Sequence, residues 1–357
     1  MITVRADHGG GPKHIANLLK GLFSKFEFYV ACPNEEPYFN IFSKRAICVE
    51  IPHRKFSVSA FLGLVKLIHS KNIDIIHSHG KGAGLYSRLL GLLTGKAVIH
   101  TFHGFHYQQL SEIKRQLYLN YELIFSHFTK GFINVSQSEQ SECIKVNIFE
   151  RSKSFVVPNG VELPSGKKSI ILNKPIRIVN ISRLSREKNI DDLIKIISML
   201  KRDCLAVEVK IVGDGPQRSE LEMKARQYGV SDIISFLGFR DNVDSILKSS
   251  DIYLTTSRGE GLPLSVMEAM AHFLPVVASR VPGHTDLIQH GRNGFIFDLD
   301  KPEDASKFII NLATEPSLFN LMAKNAHETI KDKYSTEAMC ERIAEIYNLS
   351  LFNANSC

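Results

Sequence analysis

The chain alternates between two hydrophobic periods, and it runs through that alternation twice. Short apolar runs, "MITVRAD", "FEFYVAC", "AICVEI", "IDIIHSH" and "AVIHTFH", are separated by amphipathic stretches such as "PKHIANLLKGLFSK", "SVSAFLGLVKLIHSK" and "GLYSRLLGLLTG". β-Branched runs that are apolar on both faces suit strands of a parallel sheet, whose connecting helices cover those faces. "VELPSGKKSIILNKP" breaks the pattern with Pro164, Gly166, Pro175 and a lysine pair, and reads as a linker. A second series follows: "IRIVNIS", "IDDLIKIISMLK", "VEVKIVG", "QRSELEMKARQYG", "ISFLG", "VDSILKSS", "IYLTT", "PLSVMEAMAHF" and "PVVAS". The expectation is an α/β chain of two facing, doubly wound, Rossmann-like domains, residues 1–163 and 176–335, joined by a linker at 164–175. Residues 336–357, with "STEAMCERIAEIYNLSL", predict a C-terminal helix that closes the second domain or crosses back to the first. A length of 357 residues is long for one core and comfortable for two.

Composition narrows the class. With 44% hydrophobic and 23% charged residues, the chain reads as a soluble globular protein. No apolar run approaches the roughly 18 residues of a membrane span, since even "FLGLVKLI" is interrupted by Lys66. "MITVRAD" reads as a first strand, without the succession of a signal peptide. Six scattered cysteines with no CxxC pair point away from a disulfide framework and toward a reducing cytosol. Residues 1–165 hold 19 basic and 12 acidic side chains, so the net charge of +7 belongs to that half. A phosphorylated substrate, nucleic acid or an anionic membrane surface would each account for it, as would a solubilising surface.

In open α/β sheets, ligands bind beyond the carboxyl ends of the strands, so the loops there matter most. "ADHGGGPKHI" follows the first strand. Gly9, Gly10 and Gly11 let the backbone approach a phosphate, and Pro12 suits a first helical turn. A tight strand-to-helix turn explains the loop equally well, and it lacks the GxGxxG of a nicotinamide site. "HSHGKGAG" and "HTFHGFHY" supply His77, His79, His100, His103 and His106. A zinc site is the tempting reading, but no cysteine or carboxylate joins at ligand spacing, so no metal is expected. Several of these histidines are expected simply to pack and hydrogen-bond. His103, followed by Gly104, is best placed for polar substrate work, and Lys81 suits an anion contact.

"NISRLSREKNI" places Arg183 and Lys188 on a loop entering a helix, where two fixed cations would neutralise a diphosphate without a metal. Arg186 is a third candidate, and a solvated charge cluster is the competing account. Gly213 and Gly215 of "IVGDGPQRSEL" open a loop before a helix. Arg240 lies in "FLGFRDNV", a loop able to read a nucleobase edge.

"TTSRGEGLPLSVMEAMAHFLPVV" combines these themes. Gly259, Gly261 and Pro263 predict a helix start near Leu262, with the backbone N–H groups of Gly261, Leu262 and Leu264 facing an anion. Glu260 lies just ahead of that start and Glu268 more than a turn inside it. A spacing of eight argues against a shared proton, while carboxylates accept well from hydroxyl donors. A diphosphate flanked by two hydroxylated rings, a nucleotide sugar, satisfies every element. A buried glutamate capping a neighbouring helix is the alternative for Glu268 taken alone.

The order of these loops resembles the retaining glycosyltransferases of family four, which have the two-domain GT-B fold. "EGLPLSVMEAMAHFLPVVAS" is similar to that family's E-x7-E motif, "ISRLSREKNI" to its basic loop, and "VPNGVE" to its IPNGVD segment. "IVGDGP", "FLGFRDNV" and "GHTDLIQHGRNGFIF" match the rest of the second domain, and "HTFHGFHY" with Gly9 to Gly11 the first. The resemblance implies that Glu268 holds the ribose hydroxyls, Glu260 the donor-sugar hydroxyls, and Arg183 and Lys188 the diphosphate. His103 would sit near the reaction centre, and Gly10 and Gly11 near the phosphate. Gly261-Leu262-Pro263 stands where many members have Gly-Phe-Gly, and Pro12 and Lys13 also depart from the usual pattern. The implied reaction is front-face transfer of a sugar, from a UDP-sugar by expectation, without a metal or cofactor. The implied acceptor is a glycan or lipid-diphosphate-linked glycan bound by the basic first domain, at the inner membrane face, with no nucleic acid partner. "SEIKRQLYLNYELIFSHF" carries Ile113, Leu117, Tyr121 and Phe128 on one side. That stripe reads as core-facing, with lipid contact as the alternative. A nucleotide-sugar 2-epimerase of the same shape and a non-catalytic nucleotide-sugar binder are the rival functions.

Overall fold

The computed structural model describes residues 1–105, 107, 110–164, 172 and 174–352. His106 and most of the expected linker lie outside the described residues. The chain divides into two compact units: Met1–Gly160 with the C-terminal segment from Thr336, and Val161–Ser335.

The first unit runs β1 (Ile2–Thr3), α1 (Gly10–Leu22), β2 (Tyr29–Cys32), α2 (Tyr38–Ser43), β3 (Ile47–Glu50), α3 (Val58–Ser70) and β4 (Ile75–His79). It continues with α4 (Lys81–Thr94), β5 (Ala97–Thr101), α5 (Glu112–Ser126), β6 (Gly131–Asn134), α6 (Gln137–Lys145) and β7 (Ser154–Val156). Its seven parallel strands lie in the order β3-β2-β1-β4-β5-β6-β7. The chain builds outward from β1, then returns to lay β4 on the other side of β1. At that reversal the connecting loops part to opposite faces and leave a crevice at the carboxyl edge of the sheet.

The second unit repeats the plan with β8 (Ile176–Ile181), α7 (Ile190–Arg202), β9 (Val207–Val212), α8 (Arg218–Gln227), β10 (Ile234–Gly238) and α9 (Val243–Lys248). Then come β11 (Ile252–Thr255), α10 (Leu264–Ala271), β12 (Val276–Ser279), α11 (His284–Leu287), β13 (Gly294–Phe297), α12 (Pro302–Thr314) and α13 (Pro316–Lys333). Its six parallel strands are ordered β10-β9-β8-β11-β12-β13, so the reversal lies between β8 and β11. Ile178, Val209, Ile211 and Leu254 of the sheet pack with Leu193, Ile194 and Ile197 of α7 and Ile309 of α12.

The last helix, α14 (Thr336–Phe352), belongs to the first unit. Its Met339, Ile343 and Tyr347 share a core with Ile15, Leu18, Leu19 and Leu22 of α1. The two helices approach closely at Gly21, where any Cβ would collide with Cys340 Sγ.

Helix α5 is turned differently from the expectation. Ile113, Leu117 and Phe128 are 76%, 64% and 41% exposed and face outward, while Tyr121 of the same stripe turns to Arg88. The inward face is mixed: Glu122 and Ser126 are buried, and Tyr118 and Leu119 pack against the cluster of Phe102, Phe105 and Phe132. Glu122 accepts from the Arg88 guanidinium of α4 at 2.7 Å, and both side chains are fully buried. Thr129 and the Tyr121 hydroxyl take further Arg88 N–H groups at 3.2 and 3.4 Å. An ion pair this deep depends on the hydrogen bonds Arg88 makes around it, although Glu122 Oε1 is left without a partner among the described residues.

Candidate active site

In the second unit, the loops after β8 and β11 meet at the sheet's reversal and are clamped together. Asn189 opens α7 in the left-handed region, with φ 52°, a conformation that asparagine tolerates better than most residues. Its amide donates to the Thr256 carbonyl at 3.2 Å and to Asp192 at 2.6 Å. The Thr256 hydroxyl donates to the Asn189 carbonyl at 2.8 Å. Arg258 donates from its guanidinium to Asn189 Oδ1 at 2.9 Å and from its backbone N–H to the Glu187 carbonyl at 2.8 Å. The clamp sets Lys188 Nζ 2.6 Å from Glu260 Oε1. Asn189, Thr256 and Arg258 escaped the sequence reading. The available signal was an asparagine between the basic loop and an amphipathic helix.

Burial alone would raise the Glu260 carboxyl, but Lys188 above all, with His284 and the Ser257 hydroxyl, holds it below its ordinary value. Glu260 is therefore an anion at neutral pH. His284 is fully buried and donates from Nδ1 to the Ser279 carbonyl at 2.9 Å. Burial lowers its pKa, and the pull of Glu260 in the other direction does not offset that. Gly283, with φ 83°, brings this segment against the Glu260 loop: a Cβ there would lie 2.6 Å from the Gly261 carbonyl. Both groups bind protons less readily folded than unfolded, so each contributes stability at higher pH that acid removes. The His284 contribution is complete above its ordinary 6.5 and fades below it; the Glu260 contribution fades only below about 4.5. Melting temperature is thus expected to fall first below pH 6.5, as His284 and the other buried histidines protonate, and again below pH 4.5, as Glu260 does. His284→Gln should shrink the upper stage without abolishing it, because the buried His14, His77, His79, His100 and His103 are shifted in the same direction; an unaltered profile in that variant would remove His284 from the account.

Helix α10 begins at Leu264, two residues later than the sequence suggests. Pro263, extended at ψ 114°, caps it, and Gly261 and Leu262 lie in the preceding bend. Leu262 and Leu264 have buried side chains, so what they offer a ligand is main chain. Glu268 is half-buried on α10. The Tyr253 hydroxyl of β11 bonds Ser265 and the Ile181 carbonyl, both at 3.0 Å. Burial, with Glu260 and Glu268 adding to it, raises that hydroxyl's pKa. Gly213, with φ 126°, and Gly215 let the loop after β9 lie on the loop after β8: Cβ atoms there would strike the carbonyls of Ser182 and Leu184. Arg183 and Arg186 are exposed on the loop after β8. Arg240, exposed after β10 at the sheet edge, makes no ion pair with the Lys188–Glu260 loops among the described residues.

In the first unit, Gly10 and Gly11 form the first turn of α1 rather than a free loop. A Cβ on Gly11 would just touch the His103 ring at 4.0 Å. His103 is itself left-handed, with φ 59°, and half-buried. Its following residue, Gly104, donates to Glu139 Oε1 at 2.5 Å, while Glu139 Oε2 accepts from Val135 N–H at 2.8 Å. His77 bonds the Tyr347 hydroxyl at 2.7 Å and Thr101 Oγ1 at 2.8 Å, and His100 bonds Ser78 at 2.9 Å. Burial keeps His77, His79, His100 and His103 well below the usual imidazole value and pushes His14 down to about 4. The Lys81 ammonium sits 4.4 Å over the Tyr118 ring instead of standing open at the strand end.

Residues 8–164 match the family described as Glycosyltransferase Family 4, and residues 165–329 match Glycosyl transferases group 1. The UDP-Gal:alpha-D-GlcNAc-diphosphoundecaprenol alpha-1,3-galactosyltransferase of Escherichia coli is 27% identical over 90% of this chain and 89% of its own. The poly(ribitol-phosphate) alpha-N-acetylglucosaminyltransferase of Staphylococcus aureus is 25% identical over 70% of this chain and 50% of its own. Among solved structures, Anabaena HepE in complex with UDP and glucose superposes with a TM-score of 0.86 at 19% identity, covering 97% of this chain and 98% of its own. Sucrose-phosphate synthase from Thermosynechococcus elongatus gives 0.84 at 19%, covering 97% and 94%.

Proposed function

The chain belongs to the glycosyltransferases of family 4, with the GT-B fold, and from that membership we propose that it transfers a hexosyl or N-acetylhexosaminyl group from a UDP-sugar with retention. The observation that carries this reading is the Lys188–Glu260 pair, held at the reversal of the second sheet by the Asn189–Thr256–Arg258 clamp. Lys188 and Arg183 bind the diphosphate and stabilise it as it departs. Glu260 orients Lys188 and accepts from donor-sugar hydroxyls, and Glu268 accepts from the ribose. The acceptor hydroxyl attacks the anomeric carbon from the side the diphosphate leaves, and the departing phosphate oxygen takes its proton. The protein then supplies position and charge rather than a base.

Asp7, the first-unit carboxylate an epimerase would call on, speaks against that alternative. Burial would raise it, but two hydrogen bonds from Arg5, at 2.7 and 2.9 Å, hold it below its ordinary value, unsuited to act as an acid. The direct test is a melting series with nucleoside diphosphates. At a hundred times its dissociation constant, UDP should add about 2.7 kcal/mol, or roughly 4 °C at this chain length. A response to GDP or ADP and none to UDP would overturn the donor assignment.

The relatives' named acceptors, a diphosphoundecaprenol-linked sugar and poly(ribitol-phosphate), are both anionic. A comparable acceptor suits the first half of this chain, which carries the excess positive charge. Exposed Ile113, Leu117 and Ile124 on α5, beside Lys114 and Arg115, support docking on an anionic membrane surface. Sedimentation with phosphatidylglycerol vesicles should fall severalfold in Leu117→Asp and in high salt. Equal sedimentation of the variant and parent would remove α5 from the contact.

A further inference from the structure

Three histidines of the first unit differ from the others around them. His14 comes from α1, His79 from the end of β4 and His103 from the loop after β5, and one ring nitrogen of each lies within 4.8 Å of the others. His79 Nδ1 is 3.1 Å from His103 Nε2. His14 packs edge-on to His103, with ring centroids 4.6 Å apart. His14 Nδ1 lies 2.9 Å from Asn159 Oδ1, to which it donates, so a lone pair remains on Nε2. Both His14 Nε2 and His79 Nε2 are buried with no hydrogen-bond partner among the described residues. Orphaned polar atoms of this kind are destabilising and uncommon in folded proteins. Spacing alone could not find this set, because His14 lies 65 residues before His79 in the chain.

We propose that His14, His79 and His103 form a site for a divalent transition ion of the zinc class. Three imidazoles with no carboxylate or carbonyl oxygen suit zinc, cobalt or nickel and not magnesium or calcium. Asn159 orients His14 from the outer shell, the arrangement that metal-bound histidines ordinarily have. With bonds of about 2.0–2.1 Å, the ligand nitrogens must close to roughly 3.4 Å, so one ring has to move. His103 is the one able to do so, being half-buried on a left-handed loop residue, and it exchanges its contact with His79 for the metal. The open coordination position is left to water. Because the family resemblance sets His103 near the reaction centre, capture of its nitrogen makes the metal an inhibitor. That consequence rests on the proposed function, whereas binding does not.

The two are therefore measured separately. Titration of the full chain with Co2+ should give one equivalent with the visible spectrum of tetrahedral nitrogen ligation, and Zn2+ should displace it. His14→Gln should weaken Zn2+ binding about 100-fold or more and Asn159→Ala about 10- to 100-fold, while His69→Gln, on an exposed helix position, leaves it unchanged. Zinc-edge anomalous density in a soaked crystal should appear at the three rings, a readout that does not depend on any variant folding. Density elsewhere, or equal affinity in parent and His14→Gln, overturns the site. Binding at the three rings without loss of transfer activity would leave the site standing and discard a place for His103 at the reaction centre.

Discussion

Lys188→Ala is expected to lower turnover by roughly 100- to 1,000-fold, the usual loss when one preorganised charge at a developing anion is removed. The structure adds a second penalty. Burial already works to raise the Glu260 carboxyl, and Lys188 is the leading group that opposes it. Without the lysine, Glu260 becomes a poorer acceptor for donor hydroxyls as well. Glu260→Gln in the Lys188→Ala background should then cost much less than Glu260→Gln alone, because the two residues act as a unit. Release of UDP from the donor, followed with and without acceptor, measures both. Turnover within a few-fold of the parent would mean that Lys188 does not face the leaving group.

Glu122→Ala should be the most damaging single change to stability, at about 3–5 kcal/mol, because it strands a buried guanidinium. Arg88 has no exposure through which water could compensate. Replacing both partners with apolar residues of similar volume, Arg88→Met with Glu122→Leu, should recover most of the loss. Urea unfolding of the two variants decides the matter. If the single variant lost under 1 kcal/mol, the pair would not be closed to water as described.

Much of the architecture was legible because it rests on local pattern. Each sheet announces itself in apolar runs of four to six residues separated by amphipathic helices, and the period survives whatever the tertiary contacts are. β6, β7 and β13 were not read as strands, although strands as short, such as β11 and β12, were. The start of α10 was placed early because glycines mark flexibility while Pro263 fixes the boundary. The lysine and glutamate of the candidate site were each legible from glycine-flanked loops. Their pairing was not, since it joins positions 72 residues apart. The same holds for the clamp through Asn189 and for His14 beside His103, which depend on where the strand order reverses rather than on spacing. Helix α5 misled because Ile113, Leu117 and Phe128 of its apolar stripe do not face the core, while the inward-facing Arg88–Glu122 pair is invisible to any hydrophobic period.

The return of α14 has a consequence for synthesis. The ribosome releases the first sheet long before it makes Met339, Ile343 and Tyr347, which complete the packing around α1. The amino-terminal unit must therefore wait, with Leu18 and Leu22 lacking their final cover, while the whole of residues 161–335 is translated. For that interval the nascent chain carries an exposed apolar seam, the kind of surface that chaperones hold and that aggregation exploits.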